Sequence, residues 1–241
     1  MLVKACLNGP RLPGEHPALP VTPAELAHDV ARVVSVGAEA VHLHVKDARG
    51  ADTLGAAPLD AVLAAVRSAA PTVPVGVSTG AWMMPDPDER VAAIQAWRLL
   101  PDFASVNWHE DGADAVAESL LELGVGVEAG LWHGDAVAAW LGSAHRDRCC
   151  RVLLELPDGL DPAATEATAD TLLDRLGTHG GDRPPVLLHG EGSSCWPTLR
   201  SAVRRGLAIR IGLEDVLTMP DGSPAPDNAA LVRSARALLP A

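Results

Sequence analysis

The residues best suited to chemistry in this chain are two histidines, in the stretch Val41-His42-Leu43-His44-Val45-Lys46-Asp47. Residues 40–45 are short, apolar and valine-rich and follow Gly37, so they read as a buried strand. Side chains alternate faces along a strand, which points His42 and His44 the same way with Cα atoms roughly 7 Å apart. Two neutral imidazoles at that separation can grip one metal ion. The competing use is a pair of core histidines that hydrogen-bond inside the protein. Glu214 could complete a two-histidine, one-carboxylate set, which leaves coordination positions open for a substrate. Asp215 follows it directly and should point elsewhere on an extended segment, free to serve as a base. Arg210 is five residues earlier and would favour and orient an ionised carboxylate. The plainer alternative for Arg210 and Asp215 is an ion pair at the rim.

Positioning these groups requires strands that end at one place. The spacing predicts strands over residues 2–7, 40–45, 73–77, 103–106, 126–129, 150–155, 185–188 and 207–211. Helices are expected over 23–35, 58–69, 87–98, 112–123, 135–141, 162–176, 196–205 and 228–238. Thr22-Pro23-Ala24-Glu25 is a start signal, with Thr22 as N-cap, proline at the first helical position and Glu25 closing a capping box. Gly37 stops that helix. Eight strand–helix units in one domain, residues 1–241, give a (β/α)8 TIM barrel. Helix-to-strand connections are short, whereas residues 8–21, 78–86 and 213–227 are long strand-to-helix loops. In this fold the active site lies where the longer loops gather, at the C-terminal ends of the strands. Asn8, His42, His44, Ser78, Thr79, Ser105, Asn107, Glu128, His189, Arg210, Glu214 and Asp215 all stand at such ends.

Bulk composition excludes several partners. The formal net charge is −12 and no basic run occurs, which speaks against nucleic acid. No apolar stretch reaches ~18 residues, so no membrane span is expected, and residues 1–8 do not read as a signal peptide. The four cysteines, Cys6, Cys149, Cys150 and Cys195, show no CxxC spacing and read as buried thiols in a reducing cytoplasm.

Two rival chemistries deserve weighing. Gly76-Val77-Ser78-Thr79-Gly80 matches the G-x-S-x-G nucleophile elbow of a serine hydrolase, but that elbow needs a helix directly after the serine. Pro85 and Pro87 stand where such a helix would run. A metal-dependent amidohydrolase barrel also uses His-x-His, on its first strand and with further histidines, for which His109, His133 and His189 are available. Here the pair lies on the second strand.

Several segments together resemble the β-keto acid cleavage enzyme family, best known for 3-keto-5-aminohexanoate cleavage. They are Ala5-Cys6-Leu7-Asn8-Gly9, Pro20-Val21-Thr22-Pro23, the His-x-His segment, Gly76 to Gly80, Gly126-Val127-Glu128-Ala129-Gly130-Leu131, His189-Gly190-Glu191-Gly192 and Arg210-Ile211-Gly212-Leu213-Glu214-Asp215. The resemblance implies a zinc-bearing barrel, usually a homotetramer, that combines a β-keto acid with acetyl-CoA to give acetoacetate and a new acyl-CoA. It implies His42, His44 and Glu214 as zinc ligands, Asp215 as general base and Arg210 as its partner. It also implies Ser78 as a substrate contact, Glu128 as an active-site glutamate, and Ser105 or Asn107 as the small polar residue after strand four. Thr79 and Asn8 are further substrate-binding candidates by their place at strand ends. Arg11, Lys46 and Arg49 are basic residues near the mouth that could meet CoA. Pro10 stands where the aminohexanoate enzymes carry a glutamate. With Trp82, Trp108 and Trp132 near strand ends, the expectation is a substrate with an uncharged, partly apolar tail.

Overall fold

The computed structural model describes residues 1–177 and 184–240. Its elements alternate from start to finish. The strands are β1 (Val3–Cys6), β2 (Ala40–Leu43), β3 (Val75–Ser78), β4 (Phe103–Asn107), β5 (Gly126–Leu131), β6 (Arg151–Leu156), β7 (Val186–Gly190) and β8 (Ile209–Ile211). The helices are α1 (Pro23–Ser35), α2 (Ala56–Ala69), α3 (Pro87–Gln95), α4 (Ala113–Glu122), α5 (Gly134–Gly142), α6 (Pro162–Leu176), α7 (Cys195–Arg204) and α8 (Asn228–Arg236). All strand pairs are parallel, in the order β7-β6-β5-β4-β3-β2-β1-β8. A parallel bridge between Leu187 and Ala208 brings β7 against the entry to β8 and completes the ring. The fold is a (β/α)8 TIM barrel.

The helices pack by the periodicity that defines them. In α1 the buried positions include Leu26, Val30 and Val33, which recur at three- and four-residue spacing on one face. Each such side chain contributes roughly 1.5–3 kcal/mol on burial. Thr22 caps α1 with the expected reciprocal bonds, Thr22 N–H to Glu25 Oε2 at 2.8 Å and Glu25 N–H to Thr22 Oγ1 at 3.3 Å.

Differences from the expected spans have local causes. Strand β2 stops at Leu43 instead of running to Val45, because the His44 backbone pairs with the Asn8 side chain and not with a neighbouring strand. Helix α3 ends at Gln95 and not Arg98, since Trp97 turns into the core and its indole donates to the Leu54 carbonyl. Strand β8 starts at Ile209, after the bridge at Ala208. Cys6, Cys149 and Cys195 are buried, but Cys150 is exposed. It belongs to the loop ahead of Arg151 and not to the strand.

The barrel interior holds an ion pair. Lys4 of β1 and Glu128 of β5 are both fully buried, with Nζ to Oε2 at 2.5 Å. Arg151, at the start of β6, binds the other Glu128 oxygen. Burial works against ionising Glu128, but Lys4 and Arg151 outweigh it and hold its carboxyl below the usual range. A depressed folded value means the stabilisation is present above the unfolded carboxyl value of ~4.3 and is lost as pH falls through the folded one.

Removing one partner strands a buried charge, so Glu128→Gln should cost about 3–5 kcal/mol. The melting temperature should fall by roughly 6–20 °C in a chain of this size. Lys4→Met with Glu128→Leu should recover much of that loss, and calorimetry of the three proteins checks both statements.

Candidate active site

At the C-terminal ends of the strands lies a cavity of about 190 Å³, bordered by residues of strands β2, β3, β4, β6 and β8 and of the loops after β1, β2, β3, β5, β7 and β8. His42, His44 and Glu214 meet on its wall. One ligand atom from each lies within 4.8 Å of the others. Their arrival depends on backbone geometry. His42 sits inside β2, in register with Cys6 of β1 and Gly76 of β3. His44 is clamped just past the strand end: its N–H donates to Asn8 Oδ1 at 2.8 Å, and Asn8 Nδ2 donates to its carbonyl at 3.0 Å. Glu214 follows β8, its N–H donating to the Cys6 carbonyl at 3.3 Å. Gly9 faces Glu214 with φ of +57°, and a Cβ there would come within 2.5 Å of Glu214 Cγ.

The three residues fit a divalent metal ion. His42 Nδ1 and Glu214 Oε2 are buried and have no hydrogen-bond partner among the described residues. Burial, then the neighbouring His44, pushes His42 well below the usual imidazole range, so the ring is neutral, the form that ligates. His44 gives Nδ1 to Asp52 Oδ2 at 2.9 Å, leaving Nε2 on the side of Glu214, 3.7 Å from Oε1. A carboxylate behind a histidine fixes its tautomer and raises its basicity. Asp52 is itself held by Lys46 at 2.5 Å and by the Trp82 indole at 2.9 Å. Burial opposes its ionisation; the hydrogen bonds from His44, Lys46 and Trp82 overcome that and keep its carboxyl low. The Trp82 ring also stacks on His44, centroids 5.8 Å apart.

Arg210 stands at the centre. Its guanidinium meets Asp215 Oδ1 at 2.6 Å, Glu214 Oε1 at 3.1 Å and Glu155 Oε1 at 3.9 Å. Asp215 is 1% exposed and its Oδ2 has no partner among the described residues. Burial raises the Asp215 carboxyl, Arg210 opposes that, and Glu214 adds to it. The outcome is a carboxylate with one oxygen anchored and the other free, more basic than an exposed one.

The remaining expected residues divide into two groups. Ser78, Ser105 and Asn107 line the cavity. Asn107 is engaged by Glu110 and by the Trp132 indole, whereas Ser105 offers a hydroxyl without a side-chain bond among the described residues. Thr79, Asn8 and Glu128 do not line it. Thr79 donates to the Ser105 carbonyl at 2.7 Å, Asn8 clamps His44, and both Glu128 oxygens are taken by Lys4 and Arg151. Lys46 is occupied by Asp52 and by the Gly9 and Arg11 carbonyls. Neither rival chemistry finds its geometry: helix α3 begins at Pro87, nine residues past Ser78, and no further histidine joins the metal-ligand group among the described residues.

Three residues of the site escaped the sequence reading. Asp52 is brought to His44 by a tight turn, in which Asp47 accepts from Arg49 and Ala51 and the chain doubles back to bridge Lys46 with Asp52. The Asp-x-x-Gly spacing of Asp47 and Gly50 was the available signal. Glu155, with Leu153, lines the cavity from β6, the strand for which no mouth residue was expected. An acid in the otherwise apolar run Val152 to Leu156 marked it. Glu191 follows β7 and lines the cavity beside it. Burial opposes ionising Glu155, but His189 and Arg210 bring its carboxyl down to about 2. His189 Nε2 is 3.2 Å from Glu155 Oε2, off the line of a well-formed hydrogen bond.

The sequence profile of β-keto acid cleavage enzymes matches residues 1–241. Among solved structures, the ternary complex of ObcA with a C4-CoA adduct and oxalate superposes with a TM-score of 0.73 at 20% identity, covering 92% of this chain and 63% of ObcA. The binary complex of ObcA with oxaloacetate gives 0.74 at 18% identity with the same coverage. The native KDPGal structure gives 0.57 at 16% identity, covering 99% of this chain and 96% of that one. The chain thus spans under two thirds of the length of ObcA, and at these identities the likeness is one of fold.

His42→Ala, His44→Ala and Glu214→Ala should each abolish retention of a divalent ion after dialysis, since three protein ligands are the minimum for such a site. Asp52→Ala should weaken it about 10–100-fold, the usual effect of losing a carboxylate behind a ligand. Gly9→Ala should weaken it too, because the added methyl displaces Glu214. Elemental analysis and chelator competition measure all five variants; full retention in the first three would refute the ligand assignment.

Proposed function

Because the chain belongs to the β-keto acid cleavage enzyme family, we propose that it cleaves a β-keto acid with acetyl-CoA as co-substrate, forming acetoacetate and a new acyl-CoA. The observation that carries this reading is the pairing of an open three-ligand metal group with a separate carboxylate, Asp215, whose Oδ2 is free while Arg210 holds Oδ1. His42, His44 and Glu214 would hold zinc. When bound, zinc supplies Lewis-acid stabilisation of negative charge developing on the keto acid oxygens.

The chain's own residues then account for the proton and for orientation. Ser78, Ser105 and Asn107, which line the cavity, orient the keto acid on its wall. Asp215 Oδ2 accepts the proton from C2, the acidic position between ketone and carboxylate. Arg210 fixes the carboxylate's direction and stabilises its charge between turnovers. The C2 carbanion attacks the acetyl thioester carbonyl and expels CoA thiolate. That thiolate adds to the original ketone carbon, the C2–C3 bond breaks, and the proton held by Asp215 returns to C2 of acetoacetate. Thr79 and Asn8 serve as positioning residues, through the backbones of Ser105 and His44. Glu128 supports the barrel beneath the site, with Lys4 and Arg151. The reading includes a homotetramer working in the cytoplasm; no helix among the described residues is long and apolar enough to cross a membrane.

The proton step can be separated from the rest. In heavy water, protein with zinc and a β-keto acid but no acetyl-CoA should exchange deuterium into C2 faster than solution alone. Asp215→Asn should reduce the enzymatic exchange by roughly 10²–10⁴-fold, the worth of a positioned base, with zinc still bound. Exchange by Asp215→Asn at the parent rate would show that another group takes the proton.

A further inference from the structure

One aromatic side chain at the mouth is held more firmly than a half-exposed ring needs to be. Trp82 is 50% exposed, yet its indole makes three separate contacts. Its ring lies nearly parallel to the His44 imidazole, with 16° between the planes and 5.8 Å between centroids. Its Nε1 donates to Asp52 Oδ2 at 2.9 Å, the same oxygen that meets His44 Nδ1. Its six-membered ring lies over Gly80, where a Cβ would collide with it. Gly80 does not have a positive φ, so the missing side chain there provides room for the ring and not for a turn. His42 meets His44 edge-on, with centroids 5.5 Å apart and 78° between the planes. Of the other tryptophans expected near strand ends, Trp132 also lines the cavity, and Trp108 is buried away from it.

We propose that Trp82 is a positioning residue of the metal centre, which locks the His44 ring in its ligating orientation and slows loss of the ion. The assignment rests on the metal reading of His42, His44 and Glu214 and is independent of the cleavage reaction. The hydrogen bond to Asp52 restrains the imidazole at Nδ1 only. Rotation of the ring would swing Nε2 away from Glu214 Oε1, now 3.7 Å distant, and a parallel indole on the ring's face blocks that rotation. The donors from His44 and Trp82 fill both lone pairs of Asp52 Oδ2, so the indole also fixes the carboxylate that fixes the ligand. An imidazole bonded to a divalent ion takes on part of its positive charge, and an indole face within ~6 Å attracts a cation. The contact is therefore stronger with the ion bound than without it, and a contact of that kind shifts the equilibrium towards the bound state. His44 is 3% exposed, and the indole covers one of its faces, which limits the approach of water to the ligand bond.

Zinc release measures this role without substrate or turnover. Zinc-loaded protein is mixed with a chromophoric chelator, which gives both the affinity and the release rate, and circular dichroism checks the folding of each variant. Trp82→Ala should weaken zinc binding about 10-fold or more, the usual effect of losing a group behind a ligand, and release the ion correspondingly faster. Trp82→Phe keeps an aromatic face and lacks the donor, so it should fall between Trp82→Ala and the parent. Gly80→Ala removes no contacting group but pushes the ring off His44, so it should weaken zinc binding in the parent. In the Trp82→Ala background the same change should alter binding by less than about twofold, because there is no ring left to displace. A general loosening of the loop would instead appear in both backgrounds. Trp82→Ala holding zinc as the parent does, Trp82→Phe matching either extreme, or a Gly80→Ala effect that persists without the ring would each overturn the assignment. A parent protein that takes up no zinc rejects the ligand group and this assignment with it, whereas a parent that holds zinc regardless of Trp82 rejects this assignment alone.

Discussion

One buried guanidinium makes this barrel mouth possible. Arg210 is 4% exposed and lies within ion-pair distance of Glu155, Glu214 and Asp215. Three carboxylates cannot stay ionised together in a low-dielectric setting without a cation among them. Arginine suits the place because its planar fork presents several donors at fixed angles and does not give up its proton. Burial opposes its charge, but Asp215 and the other acids outweigh that and raise it well above the ordinary arginine range. Because Arg210 lies in β8, in register with Lys4 of β1, the barrel's own hydrogen bonding sets its position. Glu214 and Asp215 follow within one short turn, so one strand end delivers the ligand, the base and the charge that reconciles them.

The division of labour around that strand explains what the sequence showed and what it hid. Thr22, Pro23 and Glu25 act within one turn of helix, and their capping was readable for that reason. His42 and His44 were readable because strand periodicity is local. Their convergence with Glu214 needed only the fold, in which β1 lies between β2 and β8. Asp52 and Glu191 belong to loops, and a loop's path is set by contacts distant in sequence: Trp82 to Asp52, Gly192 to the Asp215 carbonyl. Glu128 shows the opposite difficulty. Its motif was plain, but only the structure reveals that Lys4 reaches it from the opposite side of the barrel.

Positioning residues outnumber the groups that face the cavity. Asn8 spends its whole amide on the Pro20 and His44 backbones, Thr79 spends its hydroxyl on Ser105, and Asp52 accepts three donors at once. Histidine ligands at a strand end would otherwise inherit the freedom of the loop that follows. A clamp on the backbone of His44 and another on its ring remove that freedom before any metal arrives, which lowers the cost of ordering on binding.

The ion pair inside the barrel has an effect beyond holding strands together. Lys4 and Arg151 against Glu128 leave one positive charge in excess on the lower tier. The upper tier, with Glu155, Glu214 and Asp215 around Arg210, has an excess of negative charge before a metal binds. Without a metal the barrel axis is therefore electrically polarised, positive at depth and negative at the rim; a divalent ion at His42, His44 and Glu214 would offset the rim's excess. With the rim so balanced, the buried positive excess remains, and it draws a guest's anionic end down the axis towards the histidines.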